Sequence, residues 1–116
     1  MVKAILHLEG AVVLAASIWF YFFQADGGWV LFAVLILAPD LSMIGFVKDT
    51  RLGSITYNLM HNYVLAVAAI VIGVAADTNL VTLLGLILSA HVGMDRSLAY
   101  GLKYASDFKD THMQRV

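Results

Sequence analysis

Five ionisable side chains, Glu9, Asp40, His61, His91 and Asp95, each interrupt an otherwise apolar stretch of this chain. Carboxylate oxygen and imidazole nitrogen are the donor types that hold divalent cations. Zinc takes them in fours, and iron, manganese and magnesium accept a larger share of oxygen. His91 and Asp95 stand four residues apart, one turn from each other on one helix face, and Asn58 lies one turn from His61. The arrangement these residues suit is a metal centre with Asp40, His61 and His91 as primary ligands. Glu9 and Asp95 would complete the shell or handle protons. If the centre is catalytic, it keeps one position for a water whose pKa the metal lowers, and a spare carboxylate serves as general base.

The elements that must position these groups follow from the solvent. Of 116 residues, 61% are apolar and 13% charged, where a chain that folds in water carries about 45–50% and 25%. Too little polar surface remains to clothe a globule, and a bilayer is the solvent that fits. The net charge of −1 argues against a nucleic-acid partner, which requires a basic surface. Without cysteine there is no disulfide frame, thiolate nucleophile or thiolate metal site. Ser42, Ser54 and Ser89 lack the strand–turn setting of a nucleophile elbow.

A membrane span takes about 20 predominantly apolar residues. Residues 2–23, 29–47, 53–76 and 80–100 qualify, and a polar tail covers 101–116. The first is read as a retained helix, since no short apolar core with a small-residue cleavage site is visible. Connections this short make neighbours antiparallel, which predicts an all-α bundle of four transmembrane helices forming a single domain. Lys3, Lys48, Arg51, Arg96, Lys103, Lys109 and Arg115 all fall at one end of the spans. Loops rich in Lys and Arg stay inside, so both termini are expected on the cytoplasmic side of the cell membrane. Trp29, Tyr100 and Tyr104 sit where aromatic belts form. Gly10, Gly45, Gly73, Gly85 and Gly93 are expected to let helices approach closely.

Along helices rising about 1.5 Å per residue, four of these ionisable groups share one depth, and Asp95 lies one turn nearer the cytoplasm than His91. Glu9, Asp40, His61 and His91 come out roughly 9–13 Å from the cytoplasmic ends of their spans. The outer halves hold no ionisable group. Charged groups at a helix centre cost about 2.5–3.5 kcal/mol each on insertion scales, so their concentration at one level predicts a shared polar centre. Two other readings use the same residues. Polar side chains also tie helices together, at about 0.6–2 kcal/mol per hydrogen bond, in a structural or accessory protein without metal. Chains of Asp, Glu and His also mark proton or ion paths in transporters and channel subunits, although the outer half offers no polar continuation. His7 points about 160° away from Glu9 on a helix and is expected to snorkel to the interface.

The tail is expected to lie along the headgroups, with its aromatic rings immersed and its lysines near anionic lipid. In the alternative it folds back as a lid that offers Asp110 or His112 to the polar centre. Arg96 and Lys103 are candidates for holding an anionic lipid headgroup. Four helices leave little interior room for a substrate, and a homo-oligomer would enlarge it.

The segments Leu8-Glu9-Gly10, Ala38-Pro39-Asp40-Leu41-Ser42-Met43, Tyr57-Asn58-Leu59-Met60-His61 and His91-Val92-Gly93-Met94-Asp95-Arg96 resemble the bacterial family catalogued as domain of unknown function 4260. The run Tyr100-Gly101-Leu102-Lys103-Tyr104 with Phe108-Lys109-Asp110-Thr111-His112 is similar to that family's ending. The resemblance covers essentially the whole chain. It implies a small four-helix membrane protein and names no reaction. More loosely, Asp on one span with His-x-x-x-Asp on another resembles small membrane-bound hydrolases that use a metal on lipids, an analogy of pattern only.

Overall fold

The computed structural model describes residues 1–98, 100–103 and 111–115, and its named elements are all helical. Helix α1 (Val2–Trp19) runs on through a π-helical turn, Phe20–Gln24. Helix α2 (Trp29–Leu35) is followed by a 3₁₀ helix, Ala38–Val47. Helices α3 (Thr50–Met60) and α4 (Tyr63–Ala75) follow, then α5 (Asn79–Ser97) and the short α6 (His112–Arg115). Asp26 and Asp77 adopt positive φ in the short connections between the first and second and between the third and fourth predicted spans. Three helical segments, Val2–Gln24, Trp29–Val47 and Thr50–Ala75, are long and apolar enough to cross a membrane.

Burial is inverted relative to a water-soluble protein. Trp19, Phe23, Trp29, Val34, Leu41, Ile44, Val64 and Val74 are exposed, whereas His61, His91, Asp95, Arg96 and Lys103 are buried. Contiguous apolar surface of this kind fits lipid and not water. Trp29 is exposed at the start of α2 and Tyr100 just beyond the end of α5, as interfacial anchors would be, and Tyr104 falls outside the described residues.

Helix α5 is the axis. It packs against α1 on one flank and α4 on the other, and it is buried nearly continuously from Gly85 to Arg96. Encased by protein, it can carry His, Asp and Arg that a lipid-facing helix could not. Gly10 and Gly93 set the α1–α5 approach. A Cβ on Gly93 would lie 2.8 Å from the Gly10 carbonyl, and one on Gly10 would lie 2.6 Å from the Arg96 Cβ. Gly73 and Gly85 do the same between α4 and α5, and Gly45 between the 3₁₀ helix and α3. The Ser17 and Ser89 hydroxyls meet at 2.6 Å between α1 and α5.

Two predicted spans are not continuous helices. The second breaks after Leu35, where Pro39 has no N–H to return to the Leu35 carbonyl and its ring crowds the preceding turn. The Asp40 N–H turns to the Leu37 carbonyl at 3.0 Å, which releases the Ile36 carbonyl. The third breaks at His61-Asn62, and Asn62 satisfies both broken ends. Its Oδ1 accepts the Leu65 N–H at 2.8 Å, while its Nδ2 donates to the Asn58 and Leu59 carbonyls. Asn is a strong N-cap residue, and here it overrides the helical run the apolar pattern suggests. Irregular backbone at such depth is tolerated only where protein buries and satisfies it.

Candidate metal centre

Both breaks face α5, whose polar side chains satisfy the released carbonyls. His91 Nδ1 donates to the Ile36 carbonyl at 2.5 Å. Arg96 donates through one guanidinium nitrogen to the His61 carbonyl at 2.9 Å and through another to Tyr100 at 3.0 Å. His61 Nδ1 donates to the Tyr57 carbonyl at 2.8 Å, at the frayed end of α3. A carbonyl accepts only, so each ring carries its hydrogen on Nδ1 and presents Nε2 with a lone pair.

Those two Nε2 atoms and two carboxylate oxygens converge. His61 Nε2 lies 3.0 Å from Asp40 Oδ1 and 3.6 Å from Asp95 Oδ2. His91 Nε2 lies 3.2 Å and 3.4 Å from the same two oxygens, and the two nitrogens are 3.0 Å apart. All four residues offer ligand atoms within 4.8 Å of one another. A tetrahedral ion with donors about 2.0–2.1 Å away has donor–donor edges of about 3.3–3.4 Å, and the five histidine-containing edges straddle that value. Four electron-rich atoms at such spacing repel unless positive charge lies among them. Two carboxylates and two neutral imidazoles would balance one divalent cation.

The ring of Tyr57 stacks on His61, with centroids 3.7 Å apart and planes 6° from parallel. Its hydroxyl donates to Asp95 Oδ2 at 3.3 Å. Ser42 reaches the Pro39 carbonyl and Thr56 the Ser42 carbonyl, each at 2.6 Å, which fastens the Asp40 turn to α3. A hydrogen-bonded outer layer of this kind fixes tautomer and ring orientation at metal sites. Both histidines are fully buried, while a third of the Asp40 side chain is accessible. A cavity of about 830 Å³ reaches the centre from the carboxylate side, lined by Asp40, Asp95, Tyr57, Lys103, Thr111 and Gln114 among others.

The described residues of the tail, 101–103 and 111–115, fold back against the helices. Asn58 grips the Lys103 backbone from both sides, accepting its N–H at 2.6 Å and donating to its carbonyl at 2.8 Å. Lys103 forms an antiparallel bridge with Thr111, and Met113 is fully buried. The folded-back tail thus walls the cavity. The buried Met113 and the Asn58 clamp hold these described residues there; of the two side chains a lid was expected to offer, His112 is not among those lining the cavity and Asp110 lies outside the described residues.

Of the residues singled out in the sequence, Asp40, His61, His91 and Asp95 come together. Asp95 stands with the donors, not behind them. Glu9 lies on an exposed face of α1, outside this group. Arg96 is turned to backbone carbonyls and braces the break instead of facing the cavity. The Nδ1 of His112 accepts the Leu102 N–H at 2.8 Å and serves the tail's own fold; burial, reinforced by the Arg96 charge, lowers its pKa. Asp110 lies outside the described residues. His7 donates to the Ser97 carbonyl at 2.9 Å and ties α1 to α5. Tyr57 was missed, although it stands one turn before His61 on the same face, which the i,i+4 rule makes visible.

These features define a helical protein with membrane-compatible segments and a buried Asp-His-His-Asp cluster able to hold a metal ion. The family described as Domain of unknown function (DUF4260) matches residues 3–116, and the chain belongs to it. No curated protein and no solved structure matches this chain.

Proposed function

We propose that this protein is a four-span membrane protein of the cell membrane with both termini cytoplasmic. In this reading it holds one divalent metal ion through Asp40, His61, His91 and Asp95 and uses it for hydrolysis of a lipid or lipid-linked substrate. The observation that carries the metal is the convergence of four lone-pair donors while both histidine N–H groups are committed to backbone carbonyls. Metal-site spacing without an intervening donor hydrogen is the signature of a cation site. Four protein donors would close a zinc site, whereas six-coordinate iron, manganese or magnesium would keep positions for water and substrate. The carboxylate edge is the side the cavity reaches, so water and substrate would enter there. Asp40, the accessible carboxylate, is then the natural proton acceptor beside the bound water.

Elemental analysis of protein purified in detergent without added metal tests the first half. About one equivalent is expected, falling to background in the Asp40→Ala/His91→Ala variant. Equal, negligible metal in both sinks the reading and leaves a proton-carrying or purely structural polar cluster. Orientation has a direct test because the chain lacks cysteine. A single cysteine at Asp77 should react with a membrane-impermeant reagent outside intact cells, and one at Asp49 only after lysis.

A further inference from the structure

Of the five ionisable groups in the sequence pattern, Glu9 alone stays outside the metal centre, and it stands beside a second cavity. Helices α1 and α4 both pack on α5 and only marginally on each other, which leaves a groove of about 730 Å³ between them. Val13 and Phe20 wall one side, Val67 and Ile70 the other, and Leu86 of α5 forms the floor. Counting 3.6 residues per turn, Glu9 falls within about 40° of Val13, Ala16 and Phe20, so it extends the lining row of α1 by one turn towards the cytoplasmic end. Tyr63, the first residue of α4, lines the same groove, and its hydroxyl is enclosed without a hydrogen-bond partner among the described residues. The Glu9 carboxylate is close enough for its charge to act on Tyr63. The Ser17 and Ser89 hydroxyls further along are satisfied by each other.

The Glu9 carboxylate lacks a cation. No Lys, Arg or His among the described residues lies within ion-pair distance of it. Arg96 lies 5.8 Å from the Tyr63 ring centroid, but its guanidinium is spent on the His61 and Tyr100 carbonyls, and His7 is spent on Ser97. A carboxylate facing hydrocarbon is costly, and this side chain is too short to snorkel as lysine does. We propose that the groove binds a lipophilic amine in its protonated form, with the ammonium between Glu9 and the Tyr63 hydroxyl and the hydrocarbon part along Val13, Phe20, Val67 and Ile70. Charge complementarity selects the head: an ammonium neutralises Glu9 and donates a second N–H to the Tyr63 oxygen. Depth selects a molecule that dissolves in the membrane over a two-chain phospholipid. Glu9 lies roughly 10 Å inside the start of α1 at about 1.5 Å per residue, below the plane in which such a lipid keeps its headgroup. Apolar walls with a few polar groups that fix orientation are the usual build of a small-molecule site, and the volume is in their range. The groove shares no lining residue with the cavity at Asp40 and Asp95, so the amine site stands or falls apart from the metal.

The test uses the full chain in phosphatidylcholine nanodiscs, with empty discs subtracted. Binding of radiolabelled dodecylamine, an ammonium ion at neutral pH, is compared with that of dodecanol by equilibrium dialysis. Native protein should hold the amine at least about tenfold more tightly than the alcohol. Glu9→Gln should weaken the amine about tenfold or more and leave the alcohol unchanged. Tyr63→Phe should weaken the amine about fivefold. Glu9→Asp keeps the charge and should restore most of the affinity, which separates a lost ion pair from a disturbed α1. Amine binding that Glu9→Gln retains, or an amine held no better than the alcohol, overturns the cation site and leaves an apolar groove. Displacement of the amine by phosphatidylethanolamine added to the discs gives the groove to a lipid headgroup and overturns the amine reading as well.

Discussion

Single residues here act mainly by committing donors. His61 and His91 spend one nitrogen on a carbonyl and so aim the other, while Arg96 spends its charge on backbone. His112 does the same for the tail, with Nδ1 accepting the Leu102 N–H and its own N–H returned to the Leu102 carbonyl at 2.9 Å. That geometry requires a neutral ring, and burial first, then the Arg96 charge, lowers its pKa from 6.5. A histidine whose folded pKa is depressed adds stability above its unfolded value, and that stability is lost as pH falls towards the folded value. The tail should therefore be tight at about pH 7.5 and loosen below about pH 6.5. Amide exchange at residues 100–103 and 111–115, corrected for intrinsic rates, should rise several-fold across that interval. His112→Asn keeps an acceptor without a titration, so its corrected exchange should stay flat. An unchanged slope in His112→Asn would assign the effect elsewhere.

At the scale of elements, the two interrupted spans matter more than the continuous ones. The apolar runs were legible, as were the five close-approach glycines and the convergence of Asp40, His61 and His91 on one level. The breaks were not, because the largely apolar runs continue across them and only Pro39 and Asn62 betray them. Nor was the rank of α5, since a span's burial depends on its neighbours and not on its own letters. The tail's polarity suggested a surface segment, while its docking hangs on Asn58 and Met113, which no local pattern links. Asn62 tests how far the break positions the site. Asn62→Asp keeps the cap on Leu65 but loses both donations to α3, and Asn62→Leu loses all three. Losing a cap costs about 0.5–2 kcal/mol, and metal sites lose about 10–100-fold in affinity when an outer support is removed. Chelator competition should rank metal affinity as native, then Asn62→Asp, then Asn62→Leu. Equal affinities would mean that Tyr57 and Arg96 hold His61 in place without the Asn62 cap.

For the whole molecule, the centre joins two bodies. One is the layer of α1, α5 and α4, which supplies His91 and Asp95; the other is the 3₁₀ helix with α3, which supplies Asp40 and, at its end, His61. The ligands can meet only if α5 sits at the correct depth between its flanks, and the Gly10–Gly93 contact fixes that on the α1 side. A side chain at residue 93 would press on the Gly10 carbonyl and the Leu14 N–H, each 2.8 Å from its Cβ. Backbone on both sides cannot swing aside, so α5 must shift, and His91 and Asp95 flank the displaced point. Overpacking of this kind costs about 1–3 kcal/mol, enough to leave a folded protein with a distorted site. Gly93→Ala should keep native helicity and a monodisperse detergent profile yet bind metal about tenfold more weakly, and Gly93→Val should bind less still. Gly28, where an added Cβ would meet nothing within 4 Å, is the matched control, and Gly28→Ala should bind as the native chain does. If Gly93→Ala holds metal at native affinity, the ligand set is assembled locally around His61, and the packing of α1 on α5 has no part in it.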